Sequence, residues 1–140
     1  MQVTLDTETI RLITLFENLT GAGVRDCLVD NAASVVYFVI EEGEVGKAIG
    51  KNGSIVKKTE NLIKKDIRLF EFSNDVERFV RNLIPQTNLV KLKNENGRNV
   101  MDIWVDKRYK AVVIGRDGKN LKIFKELLQR NHDVSKVMVR

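Results

Sequence analysis

Two short stretches of this chain carry the same arrangement of glycines: Ile49-Gly50-Lys51-Asn52-Gly53 and Ile114-Gly115-Arg116-Asp117-Gly118, offset by 65 residues. Glycine at both corners of such a turn allows a sharp reversal and leaves no side chain to hold a ligand away from the backbone. Where the turn opens a helix, main-chain N–H groups and the positive end of the helix dipole favour an anion. The chemistry on offer is therefore phosphate binding by backbone, with cationic side chains adding charge contacts. Lys47, Lys51 and Lys57 stand around the first turn, and Arg116, Lys119 and Lys122 around the second. The inner pairs differ in one respect: Asp117 places a carboxylate where phosphate would lie, and the matching Asn52 does not.

Other glycine-rich phosphate loops fit poorly. A P-loop needs G-x-x-x-x-G-K-[ST], but the stretch from Gly46 to Asn52 is one residue short between its glycines and ends on Asn instead of a hydroxyl residue. A G-x-G-x-x-G dinucleotide fingerprint fits neither copy. What remains is G-x-x-G between two helices.

Nucleophilic and metal chemistry have no candidate constellation. Cys27 is the only cysteine, flanked by Leu28 and Val29, and reads as a small core residue. His132 is the only histidine and has no Cys or second His with which to share a metal. No enzyme activity, cofactor or metal is expected.

The elements that must position the turns recur in the same order. Asp6 or Thr7 caps an opening helix bearing Leu12, Ile13, Phe16 and Leu19, which Gly21 and Gly23 end. Residues 25–29 and 34–41 read as strands across a short turn. After Gly53, the residues Ile55, Val56, Thr59, Leu62 and Ile63 make an apolar helical stripe opposite Lys57, Lys58, Lys64 and Lys65, and residues 67–72 alternate as a strand. The second half begins with a helix from Asp75 bearing Val76, Phe79, Val80 and Leu83, which Pro85 ends. Strands over residues 89–92 and 100–105 flank a turn at 94–98. A short helix toward Ile114 follows, then the second glycine turn, a helix burying Leu121, Phe124, Leu127 and Leu128, and a strand over 134–139. With no Gly/Ser-rich linker between the halves, a fixed pair of units is expected.

The 140 residues are 43% hydrophobic, enough to bury a core, and carry a net charge of +5. Charge is unevenly spread: residues 1–73 hold 9 basic and 11 acidic side chains, residues 74–140 hold 15 and 8. Residues 45–65 contain six lysines and one acid, and residues 107–125 seven basic residues and one acid. Positive charge thus gathers at the repeated motif, as an anionic partner requires. The longest apolar run, residues 35–40, is too short for a membrane span, and the opening MQVTLDTETI has no secretion-signal pattern, so a cytoplasmic protein without membrane contact is expected.

The extended motifs, Ile49-Gly50-Lys51-Asn52-Gly53-x-Ile55-x-Lys57 and Ile114-Gly115-Arg116-Asp117-Gly118-x-x-Leu121-Lys122, resemble the core of KH domains, which clamp about four nucleotides of single-stranded nucleic acid over this loop. Only residues 132–140 follow the last helix, room for one strand, so each unit resembles the prokaryotic (type II) KH order, with its extra helix and strand placed first. Two such units in tandem look like archaeal NusA-type transcription factors. The resemblance covers essentially the whole chain. It implies an α+β, two-layer fold of two αββααβ KH type II units, residues 1–73 and 74–140, each with a three-stranded sheet packed by helices.

The same resemblance implies a monomer that binds single-stranded RNA of the nascent transcript in transcription termination or antitermination, with RNA polymerase as a further partner. The chain has no room for the polymerase-binding or OB-type domains of bacterial NusA. The residues implied to contact RNA are Lys47, Ile49, Gly50, Lys51, Asn52, Gly53, Lys57, Ile114, Gly115, Arg116, Asp117, Gly118, Lys119 and Lys122. Ile49, Ile55, Ile114 and Leu121 divide their work between core and groove floor, core being the safer assignment, and Trp104 and Tyr109 read as packing residues. Ribosomal or RNA-processing KH proteins, and a protein-interaction scaffold with vestigial loops, remain open alternatives.

Overall fold

The computed structural model describes residues 6–140, so residues 1–5, with which the expected first domain begins, lie outside the described residues. Helix α1 (Thr7–Thr20) starts where the Asp6 carboxylate accepts the Thr9 N–H at 2.8 Å. It stops at Gly21, whose φ of 73° lets its N–H return to the Glu17 carbonyl. Antiparallel strands β1 (Val24–Asp30) and β2 (Val35–Ile40) follow, then α2 (Val45–Ile49), a 3-10 turn, α3 (Ser54–Ile63), and β3 (Asp66–Glu71) parallel to β2. The order then repeats. Helix α4 (Val76–Leu83) leads to β4 (Thr87–Glu95) and β5 (Arg98–Val105), α5 (Lys107–Ile114), a second 3-10 turn, α6 (Lys119–His132), and β6 (Lys136–Val139) parallel to β5.

The described residues divide between Ser73 and Asn74 into two compact units. Each has one three-stranded sheet, in the orders β1-β2-β3 and β4-β5-β6. Irregularities repeat too: the pairing slips between Val24 and Asp26 in the first sheet and between Thr87 and Leu89 in the second. A bulge at the same place in each hairpin bends and twists the first strand in the same way.

Alternation along β2 puts Val36, Phe38 and Ile40 on one face, all fully buried. On that face Phe38 stacks on Phe16 of α1 with ring centroids 4.1 Å apart. Ala22, Cys27, Ala48 and Ile67 complete the core, and Val56 and Ile63 of α3 pack at its margin. One core therefore anchors both helices that flank the first glycine turn. In the second unit Phe79, Met101, Ile103, Leu127 and Leu128 are fully buried and Val113 nearly so.

Three expectations need correction. Strands β4 and β5 run to a two-residue turn, Asn96-Gly97, instead of stopping short of a longer one. Both turn residues have positive φ (53° and 82°), which twists the hairpin as its strands require. Leu62 is not part of the buried stripe of α3 but 56% exposed. The fully buried position there is Thr59, whose hydroxyl donates to the Ile55 carbonyl at 2.9 Å and so needs no solvent. Leu121 and Phe124 are half-buried, not buried; the fully buried positions of α6 are Leu127 and Leu128, further along the same face. No helix among the described residues is long and apolar enough to cross a membrane.

Candidate nucleic-acid interface

Each glycine turn links two helices by the same backbone path. Gly50 has φ/ψ of 72°/178°, Asn52 56°/28° and Gly53 73°/16°; Gly115 has 78°/169°, Asp117 57°/25° and Gly118 73°/17°. No angle differs by more than 9° between the copies. The identity lies in the main chain, although two of the four residues differ in type.

The two glycines of each turn do different jobs. A Cβ on Gly50 would sit 2.5 Å from Ile55 Cγ1, and one on Gly115 would sit 2.9 Å from the backbone nitrogen of Asn120. The first glycine thus permits close packing of the turn on the following helix, in a φ/ψ region open almost only to glycine. In front of the second glycine there is room. The nearest atom to a Cβ on Gly53 is Lys57 Cε at 3.7 Å, and nothing lies within 4 Å of one on Gly118. The open corner of each turn is therefore its second one.

Local bonds close the loop from inside. The Gly50 N–H donates to Gly46 O at 3.1 Å, Gly53 N–H to Gly50 O at 3.3 Å, and Ser54 N–H to Lys51 O. The second loop matches, with Gly115 N–H to Ala111 O at 2.9 Å, Gly118 N–H to Gly115 O at 3.1 Å, and Lys119 N–H to Arg116 O. The amides of the inner pairs, Lys51-Asn52 and Arg116-Asp117, take no part in these bonds, and all four residues are exposed.

The residue type at the third loop position has a conformational reason. Asn52 and Asp117 both occupy the left-handed region, which Asn and Asp enter more readily than other side-chain-bearing residues. Asp117 suits the turn even though its charge opposes an anion.

Around the open corners, Lys51, Lys57, Arg116, Lys119 and Lys122 are exposed. Lys47 is exposed too, but its ammonium lies 3.6 Å from Glu44, so an anion has to compete for it with an exposed pair of modest strength, about 0.2–1 kcal/mol. Ile55 packs on Gly50 and is half-buried, as are Ile114 and Leu121. Core is the wrong assignment for Ile49, which is 40% exposed because the short α2 turns Ala48 inward.

Two residues of α5 differ from expectation: Val112 was not singled out, and Tyr109 was expected to pack. Val112 is 64% exposed on α5, and its carbonyl accepts the Asn120 side-chain N–H at 3.1 Å. Tyr109 is 40% exposed, not packed away, with the Arg108 guanidinium 5.0 Å from its ring centroid. Helical periodicity hid both, because α5 has eight residues and buries only Val113. Trp104 is half-buried, with the Lys91 ammonium 5.6 Å from its ring. Among the described residues no group of three or more His, Cys, Asp or Glu side chains is placed to hold a metal.

Known proteins share this architecture. A family model described as KH domain matches residues 11–96. A probable transcription termination protein NusA from Halococcus morrhuae is 35% identical over 138 residues, covering 98% of each chain. The chain belongs to the archaeal NusA-like family of KH-domain proteins. Another such NusA, from Methanocaldococcus jannaschii, is 33% identical over 99% of this chain and 75% of its own. The crystal structure of APE1850 is similar with a TM-score of 0.82 and 33% identity, covering 97% of this chain and all of that one. Within this NusA-like chain the KH match takes in the first glycine turn and ends at the β4–β5 turn.

Proposed function

We propose that the chain is a sequence-tolerant single-stranded RNA-binding factor of transcription termination or antitermination, and that it grips RNA backbone through two G-x-x-G loops. Both units, residues 1–73 and 74–140, are read as KH domains of the type II order αββααβ. The observation that carries the proposal is the pair of turns with one backbone path, each with its second corner open. Phosphate oxygens approach the exposed inner residues Lys51-Asn52 and Arg116-Asp117, and Gly53 and Gly118 keep the path clear. Lys47, Lys57, Lys119 and Lys122 supply charge, while Ile49, Ile114 and the exposed Val112 and Tyr109 offer apolar surface to bases.

The names of the relatives, transcription termination proteins, support a place in transcription; in this reading the nascent transcript is the ligand and RNA polymerase a further partner. The protein acts as a cytoplasmic monomer without enzymatic activity. When one strand engages both loops, its affinity exceeds that of either alone by about 10² to 10⁴-fold.

Replacing Gly53 and Gly118 by Asp tests the reading. Asp tolerates the left-handed backbone at about 1–2 kcal/mol, so folding survives, while a carboxylate at each open corner weakens single-strand RNA binding by about ten-fold or more. RNA affinity unchanged in the folded double variant supports the scaffold reading instead.

A further inference from the structure

Along β5 the buried Met101 and Ile103 alternate with Asp102 and Trp104, which therefore lie on the opposite face of the second sheet. The register sets Leu89 beside Trp104, Lys91 beside Asp102, Lys93 beside Val100 and Glu95 beside Arg98; on the other side, Met138 flanks Asp102 and Lys136 flanks Val100. Side-chain contacts agree with this grouping. Lys93 Nζ lies 3.4 Å from Asp102 Oδ2, and Arg140 Nη2 and Nε each lie 3.1 Å from Asp102 Oδ1.

The face thus gathers five cations, Lys91, Lys93, Arg98, Lys136 and Arg140, against two acids, Glu95 and Asp102. Among them Trp104 is half-buried, Leu89 44% exposed and Met138 36% exposed. The fold itself does not require this pattern. The same face of the first sheet, by register, carries Asp26, Asp30 and Asp66 and a single cation, Arg68. Lysines on an edge strand also hinder edge-to-edge pairing. That role accounts for Lys91 and Lys93 on β4 and for Lys136 on β6, the two edge strands, but not for Arg140 beyond the end of β6, nor for the apolar and aromatic surface between them.

Cations around a ring and exposed aliphatic side chains suit one kind of partner, a flexible polyanion with stackable bases. We propose that this face is a second contact for single-stranded RNA, separate from the glycine turns. The inference rests on the reading of the chain as an RNA-binding factor.

The test compares the whole protein with Lys91→Glu/Lys136→Glu, both exposed positions outside the Lys93 and Arg140 ion pairs of Asp102, using a 5-nucleotide RNA and an unstructured 30-nucleotide RNA. The short RNA fills one loop, and its affinity stays unchanged. For the long RNA, losing two phosphate contacts lowers the slope of log affinity against log salt by about 1.4, a loss worth about seven-fold between 200 and 50 mM salt. In the Gly53→Asp/Gly118→Asp background, residual long-RNA binding persists and the added Lys→Glu pair abolishes it. Long-RNA affinity and salt slope unchanged in the folded Lys→Glu variant overturn the inference alone and leave the face to a protein partner. Wild-type protein that binds neither RNA overturns the proposed function along with it.

Discussion

The division of labour between the two glycines of each loop makes a quantitative prediction. Gly50→Ala places a Cβ 2.5 Å from Ile55 Cγ1, where van der Waals contact needs more than 3.4 Å, and does so at φ 72°, ψ 178°. Ile55 is β-branched and half-buried, so it yields poorly. Backbone strain of about 1–3 kcal/mol and overpacking of about 1–3 kcal/mol combine to about 2–6 kcal/mol. At Gly115 the obstructing atoms include the Asn120 backbone nitrogen, which cannot swing aside, so Gly115→Ala falls at the upper end. Gly53→Ala and Gly118→Ala meet open space and lose only left-handed freedom, about 1–2 kcal/mol. Thermal unfolding followed by circular dichroism reads the difference, at about 4 °C per kcal/mol for a chain of this size. The expected order of melting temperatures is Gly115→Ala lowest, then Gly50→Ala, then the other two together. Equal destabilisation at first and second corners would refute the reasoning, since all four have positive φ and only the first corners combine crowded surroundings with a ψ near 180°.

Further outcomes follow from particular side chains. Asp117→Asn keeps a residue suited to the left-handed turn and removes a charge facing phosphate. Its effect on RNA affinity, measured by fluorescence anisotropy, is a gain of about five-fold, from about 1 kcal/mol of relieved repulsion at contact distance in water, with stability within about 0.5 kcal/mol of wild type. Phe38→Ala empties the position stacked on Phe16 and lowers stability in urea titration by about 3–5 kcal/mol. The Asp6 carboxyl is held below its ordinary value near 3.8 by the Thr9 backbone N–H. A depressed carboxylate stabilises the fold above its unfolded value and ceases to do so as pH falls through the folded one. Far-ultraviolet dichroism of α1 should accordingly weaken below about pH 4 in wild type and lose that component in Asp6→Asn, whose amide still caps.

Much of this architecture is legible in the residues because it depends on local chemistry. Asp6, Asp75 and Gly21 announce helix ends through hydrogen bonds they make within a turn of themselves, and the spacing of Gly50, Gly53, Gly115 and Gly118 marks the loops directly. The ends of β4 and β5 were not legible, because Lys93, Asn94 and Glu95 have no strand preference and are held by the ladder to β5. Nor was the exposure of Ile49, Tyr109 and Val112. Short helices such as α2 and α5 show the core one residue each, and which one depends on the neighbours they meet. The contrast between first and second glycines was hidden for a similar reason, since it turns on where Ile55 and Asn120 come to rest.

The central claim is that the inner residues of both loops receive the phosphates of one RNA strand. Amide-resolved NMR of the labelled protein, titrated with an equimolar unstructured 30-nucleotide RNA, tests it most directly. The account predicts saturable shifts largest at Lys51, Asn52 and Gly53 and at Arg116, Asp117 and Gly118. Saturable binding with those six amides unmoved would contradict it.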